Sequence, residues 1–214
     1  MSAGEIVHVV DDDAAVRRAL LRLLESAGFA VEAYASAEAF LDRFRRDHAA
    51  CVVLDLRMPG MHGLELQERL VCLDPPPPII VISANADVAS AIRAMRGGAI
   101  DFLPKPYDPA VLLDRVRDAL GRDVQRRTRD ARRSVACAAL ARLTPREHEV
   151  LAHLVRGSAP KETAAALGLS RKTVDVHRGH ILMKLGVASV AEVVQLYLSA
   201  QSDADPPHAG GADG

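Results

Sequence analysis

The chain has 214 residues, 49% hydrophobic and 26% charged, which gives two small domains enough apolar material for real cores and excludes a chain too polar to fold. Its net charge of −1 is unevenly spread: residues 1–121 carry 13 Lys and Arg against 18 Asp and Glu, residues 122–133 carry 6 against 2, and residues 142–185 carry 8 against 4, so an acidic module is joined to a basic one suited to a polyanion. Three cysteines are too few for a disulfide scaffold, no run approaches the roughly 18 apolar residues of a membrane span, and the first residues lack the basic start and apolar core of a signal peptide, so a cytoplasmic protein with no membrane role is expected.

In chain order, Ile6–Val10 is a short apolar run that stops at three aspartates, Asp11 to Asp13. Val16, Leu20, Leu23, Leu24 and Ala27 then recur at helical spacing up to Gly28. Phe29, Val31 and Ala33 alternate as in a strand, and Ser36 caps a helix through Leu41 and Phe44. Cys51–Leu56 is apolar apart from Asp55 and is closed by Pro59-Gly60; Leu64–Leu73 reads as a helix. Pro75–Pro78 forms a stiff connector without backbone donors. Ile79–Ser83 is a buried strand, Ala86–Met95 a helix ended by Gly97-Gly98, Ile100–Leu103 a fifth strand, and Ala110–Leu120 a fifth helix after Pro104-Lys105-Pro106. Continuous apolar strands alternating with amphipathic helices predict an α/β doubly wound domain with a five-stranded parallel sheet over residues 1–121. Such folds bind ligands outside the carboxyl ends of their strands. Asp11, Asp12, Asp55, Ser83 and Lys105 all fall there. Asp55 ends an apolar strand, where a carboxylate needs partners.

Residues 122–142 mix Arg with Ala and Leu. They either extend the fifth helix or form a solvated linker; a partly helical, mobile linker is the expectation. Beyond Leu143 the pattern is all helical. Thr144-Pro145-Arg146-Glu147 opens one helix with a capping box and Pro in its first turn, Lys161–Leu167 is a short helix stopped by Gly168, Ser170 caps a helix with Val174, Ile181, Leu182 and Leu185 on its inner face, and Ser189 and Glu192 open a last one. This all-α part spans 143–199, and the Ala-, Asp-, Gly- and Pro-rich residues 200–214 are expected to be disordered.

Val9-Val10-Asp11-Asp12-Asp13, Leu54-Asp55-Leu56-Arg57-Met58-Pro59-Gly60, Ser83-Ala84 and Lys105-Pro106, in that order, resemble a response-regulator receiver domain of the flavodoxin/CheY-like class. The resemblance implies that Asp55 is the phospho-acceptor, that Ser83 and Lys105 hold the incoming phosphoryl oxygens, and that Phe102 is the switch aromatic. It implies Mg²⁺, bound by Asp12, Asp55 and the Arg57 backbone carbonyl, with Asp11 acting mainly through water. Receivers commonly carry Thr where this chain has Ser83; the hydroxyl is kept. A cis Lys105-Pro106 peptide is implied as well, and a dimer face on helix 86–97 with strand 100–103. A phosphatase of the haloacid-dehalogenase type also uses a strand-end aspartate, but it needs a second acid two residues on, where this chain has Arg57. Beyond its own phosphorylation and dephosphorylation, no enzyme activity is expected.

Leu143-Thr144-Pro145-Arg146-Glu147, Ala164–Ser170, Thr173-Val174-Asp175-Val176-His177-Arg178 and Lys184-Leu185-Gly186 resemble a LuxR-type helix-turn-helix, and receiver-then-LuxR order is similar to the FixJ/NarL group, FixJ most in its details. Pro160 departs from the usual Asn. Helix 170–185 is then the recognition helix. Lys161, Arg171 and Lys184 suit phosphates, and Lys172, Thr173, His177 and Arg178 are available to DNA. Val176, an apolar side chain on an outward face, suits a thymine methyl. His177 and His180 share a helix without a third metal ligand, and His148 and His153 read as surface residues. The implied function is a two-component transcriptional regulator, phosphorylated by a sensor histidine kinase, dimeric on operator DNA when active, with RNA polymerase downstream. The competing class is a DNA-binding regulator whose receiver responds to protein contacts; the intact acid set argues against it.

Overall fold

The five apolar runs form β1 (Glu5–Val10), β2 (Ala30–Tyr34), β3 (Ala49–Asp55), β4 (Ile79–Ser83) and β5 (Asp101–Pro104), all parallel, in the order β2-β1-β3-β4-β5. The computed structural model describes residues 5–45, 47–84 and 87–201, and its two compact units divide between Arg127 and Thr128. Side chains alternate across the sheet because successive strand residues face opposite ways. Val7, Val9, Cys51, Val53, Ile80 and Ile82 face α1 (Ala14–Ser26) and α5 (Pro109–Leu140), where Leu20, Leu24, Leu112, Val116 and Leu120 pack on them. Val10, Val52, Leu54 and Val81 face α2 (Ala37–Arg43), α3 (Gly63–Val71) and α4 (Val88–Arg96), through Phe40, Leu66, Leu70 and Ala94. Helices on both faces explain why every residue of β3 and β4 is buried.

Local chemistry sets the helix ends. The Asp13 carboxylate caps α1 by accepting the Ala15 N–H at 2.7 Å. Asp87 caps α4 through the Ser90 N–H at 2.7 Å, so this helix begins at Val88; Ala86, where it was expected to begin, lies outside the described residues.

The largest departure from the sequence expectation lies at 122–142. Instead of a partly helical linker, α5 runs unbroken to Leu140. Asp123, one acid among arginines, is fully buried; its carboxylate accepts the Ala50 N–H at 3.0 Å and pairs with Arg126, which also donates to the Pro76 carbonyl. The stretch thus clasps the start of β3 and the proline connector.

In the second unit α6 (Pro145–Val155), α7 (Pro160–Leu167), α8 (Arg171–Leu185) and α9 (Val190–Gln201) enclose a core of Val150, Leu151, Leu154, Val174, Ile181, Leu185 and Val193. The expected capping box at Thr144 and Glu147 is present. Pro160 occupies the first turn of α7, where a missing N–H leaves no bond unmade. Gly168, at φ +63°, makes the left-handed turn into α8. Ala200 and Gln201, expected in the tail, belong to α9; residues 202–214 lie outside the described residues. No single helix among the described residues is long and apolar enough to cross a membrane.

Candidate functional site

β1 and β3 are neighbours in register, Val10 opposite Leu54, so the residues that follow them, Asp11 and Asp55, come together at one edge of the sheet. This is the switch point of the strand order, where α/β sheets open a crevice. β5 lies beside β4 with Pro104 opposite Ser83, and the Lys105 N–H donates to the Ser83 carbonyl at 2.8 Å. Lys105 then reaches across the crevice. Its ammonium donates to Asp11 Oδ2 at 2.7 Å and to Asp55 Oδ1 at 2.8 Å. The Lys105–Pro106 peptide is cis.

The two carboxylates are nearly inaccessible, at 1% and 5% exposure. Desolvation raises the Asp11 carboxyl above its ordinary value although Lys105 and the Asp13 N–H hold its charged form; the Asp55 charge adds to the rise. The Lys105 ammonium is raised by hydrogen bonds and attraction to Asp11 and Asp55, which outweigh the desolvation that opposes them. Asp55 Oδ2 accepts the Arg57 N–H at 2.6 Å. Ser83 is buried at the end of β4, and Phe102 is half-buried against the core that faces α4. Of the site residues expected from sequence, Asp11, Asp55 and Lys105 therefore meet directly, with Ser83 on the neighbouring strand end.

Asp12, the residue after Asp11, is exposed. No three His, Cys, Asp or Glu side chains among the described residues are gathered as metal ligands. Lys105 lies between Asp11 and Asp55 and pairs with both. The donor chemistry nonetheless fits a hard cation such as Mg²⁺: the carboxylates of Asp12 and Asp55 and the Arg57 carbonyl are oxygen donors at one sheet edge, and a single ammonium balances only one of the two buried charges.

In the second unit, Lys161, Arg171 and Lys172 are exposed, and Arg171 Nε lies 4.0 Å from Asp175. Val176 is 48% exposed, so it does not belong to the core. Thr173 is less available than expected, since its hydroxyl is bonded to that of Ser170 at 2.8 Å. Arg178 and His177 are half-buried, and His177 Nδ1 is sheltered with no hydrogen-bond partner. Lys184 departs most. Its ammonium donates to Glu147 Oε2 at 2.7 Å, an acid at 4% exposure, so it ties α8 to α6 instead of standing free for phosphate. The Lys184 bond, with help from Thr144, holds Glu147 down from 4.5 to about 2 against desolvation. Met183, not singled out from sequence, is 71% exposed two turns beyond Val176; spacing of seven along a helix was the available signal.

Comparison with known proteins follows the same division. Residues 7–117 match the family described as response regulator receiver domain, and residues 141–197 match bacterial regulatory proteins of the luxR family. The chain is 43% identical to the transcriptional regulatory protein FixJ of Azorhizobium caulinodans over 91% of its own length and 92% of that protein. It is 41% identical to nodulation protein W of Bradyrhizobium diazoefficiens over 91% and 86%. Among solved structures, the response regulator StyR superposes with a TM-score of 0.81 at 43% identity, covering 92% of this chain and 99% of that one. Full-length FixJ from B. japonicum superposes at 0.57 with 36% identity, covering 94% and 98%.

Proposed function

The chain belongs to the two-component response regulators, a receiver followed by a LuxR-type DNA-binding domain, and on that premise we propose that phosphoryl transfer to Asp55 controls operator binding by residues 143–199. The observation that carries this reading is the buried Asp11–Lys105–Asp55 bridge at the switch point. A carboxylate held there is aligned by the Arg57 N–H on one oxygen and an ammonium on the other. An Asp55 carboxylate oxygen attacks the phosphorus of a phosphohistidine on the kinase; the new O–P bond forms as the P–N bond breaks, and the P–N electron pair stays on the departing imidazole nitrogen, which takes a proton from water. Lys105 turns from Asp55 to the incoming phosphoryl oxygens, and the Ser83 hydroxyl approaches from the next strand end. Asp12, Asp55 and the Arg57 carbonyl would hold Mg²⁺, which would supply the charge neutralisation an anion needs to approach these acids.

Phosphorylation replaces the Asp55–Lys105 contact with a bulkier, more highly charged group. Ser83 is drawn toward it, and Phe102 re-packs under α4. Val88, Ile92 and Met95 form an exposed apolar stripe along α4, at 74%, 46% and 46% exposure, and supply the dimer face. The dimer presents two α8 helices to a two-fold operator: Lys161, Arg171 and Lys172 reach phosphates, Val176 meets a base edge, and Arg178 and His177 lie at the margin. RNA polymerase is the downstream partner, and the protein acts in the cytoplasm. The test is light scattering together with operator titration, before and after treatment with acetyl phosphate and Mg²⁺. A gain in mass and operator affinity is expected in the wild type and absent in Asp55→Asn. Equal affinity in both states would overturn phosphorylation control and favour a receiver governed by protein contacts.

A further inference from the structure

We propose that Glu38, outside the crevice, is a positioning residue for phosphoryl acceptance, because it holds the loop that follows Asp55; the inference rests on the reading of the site given above. The loop 56–62 leads from β3 to α3. Its start is fixed by the Arg57 N–H on Asp55 Oδ2, and its end by the Gly63 N–H on the Leu56 carbonyl at 2.9 Å. Its apex is held from another element. Glu38, in the first turn of α2, accepts the Met61 N–H on Oε1 at 2.9 Å, across 23 residues of sequence. Gly60, at φ +78°, makes this approach possible: a Cβ there would lie 2.9 Å from the same Glu38 oxygen. The Glu38 N–H, the Met61 N–H and the Ser36 hydroxyl hold the carboxyl below its usual range, so it stays an acceptor.

The consequence falls on Arg57. Its carbonyl, the loop's backbone oxygen donor toward Mg²⁺, is placed by a segment whose apex depends on Glu38. Releasing the apex lets the carbonyl wander, and the loss appears in cation affinity and phosphoryl acceptance while the fold, in which Glu38 is exposed, stays intact.

The experiment uses the full chain with Glu38→Ala, Glu38→Gln and Glu38→Asp. Mg²⁺ is titrated without phosphodonor, following the amide resonances of 56–62. Met61 amide exchange, melting temperature and the Mg²⁺ dependence of acetyl phosphate labelling are measured alongside. Glu38→Ala should raise the Mg²⁺ half-saturation on the order of tenfold, as loss of an outer-shell partner does, and speed Met61 exchange at unchanged melting temperature. Glu38→Gln keeps an oxygen at the right reach and should recover most of the affinity. Glu38→Asp keeps the charge, loses the reach and should behave like Ala. Wild-type half-saturation in Glu38→Ala would overturn the proposal; so would rescue by Asp and not by Gln, which would mark a charge effect without positioning. A wild type that binds Mg²⁺ yet takes no phosphoryl group at Asp55 would overturn the underlying reading of the site, and the donor-free titration keeps these two failures apart.

Discussion

Replacing Lys184 by Met should destabilise the DNA-binding unit without changing how DNA binding responds to salt. The ammonium is 31% exposed and its partner Glu147 only 4%, so the substitution strands a buried carboxylate. Removing one partner of a fully buried pair costs about 3–5 kcal/mol. Two features reduce that here: Lys184 keeps contact with water, and the Thr144 N–H still donates to the same oxygen at 2.7 Å. With these two reductions, about 2 kcal/mol is expected from the substitution. The pH dependence has a definite sign. A carboxyl whose folded value is depressed stabilises fully above its unfolded value and loses that contribution as pH falls toward the folded one. The gap between wild type and Lys184→Met should therefore be full above about pH 4.5 and close toward pH 2. Amide exchange of Val150 and Leu151 in the full chain reads the stability of this unit, and salt titrations on operator and random DNA read the phosphate contacts. Wild-type protection, combined with a salt slope reduced by about one, would refute the clasp and return Lys184 to the DNA backbone.

Val176→Ala should lower affinity for the cognate operator by about 1 kcal/mol, leave random DNA unaffected and leave the melting temperature unchanged, since the side chain is half exposed. Asp123→Ala, which strips a fully buried acid from Ala50 and Arg126, should lower the unfolding free energy of the receiver by about 3 kcal/mol in urea titrations. Asp11→Asn should stabilise the receiver while impairing labelling with phosphate, a common exchange at functional sites, by about 1 kcal/mol at pH 7. The Asp11 carboxyl is raised, chiefly by desolvation, so its charge weighs against folding above pH 3.8, and the gain in Asn should close as pH falls toward 3.8.

What the sequence made legible and what it hid have separate physical causes. Asp11, Asp55, Ser83 and Lys105 stand at the ends of apolar runs, and a parallel sheet brings strand ends together whatever the loops do, so their meeting could be read from pattern. Asp12 stands in the same motif, but its side chain is exposed just past the strand, where the strand pattern no longer sets which way a side chain faces. The helical clasp at Asp123 was hidden because a run rich in Arg has the composition of a solvated segment; nothing local marks one acid in it as the partner of Ala50. Lys184 reads as a free cation at the end of an outward-facing helix, and its partner lies 37 residues away in another helix. The reach of Glu38 to the Met61 amide is likewise a contact between elements. His8, buried on β1 with Tyr34, Phe40 and Phe44 around its ring, is another such case: alternation predicts the inward position but not a polar ring among aromatics. Periodicity carries the elements and their faces; pairing between elements appears only once they are packed.

Asp55 is expected to accept the phosphoryl group. Incubation with acetyl phosphate and Mg²⁺, followed by intact-mass measurement before and after hydroxylamine, tests it most directly. The wild type is predicted to gain the mass of one phosphoryl group, to lose it to hydroxylamine as an acyl phosphate must, and to give no gain as Asp55→Asn. Equal, hydroxylamine-sensitive labelling of the Asp55→Asn protein would contradict the account and move the acceptor to another carboxylate.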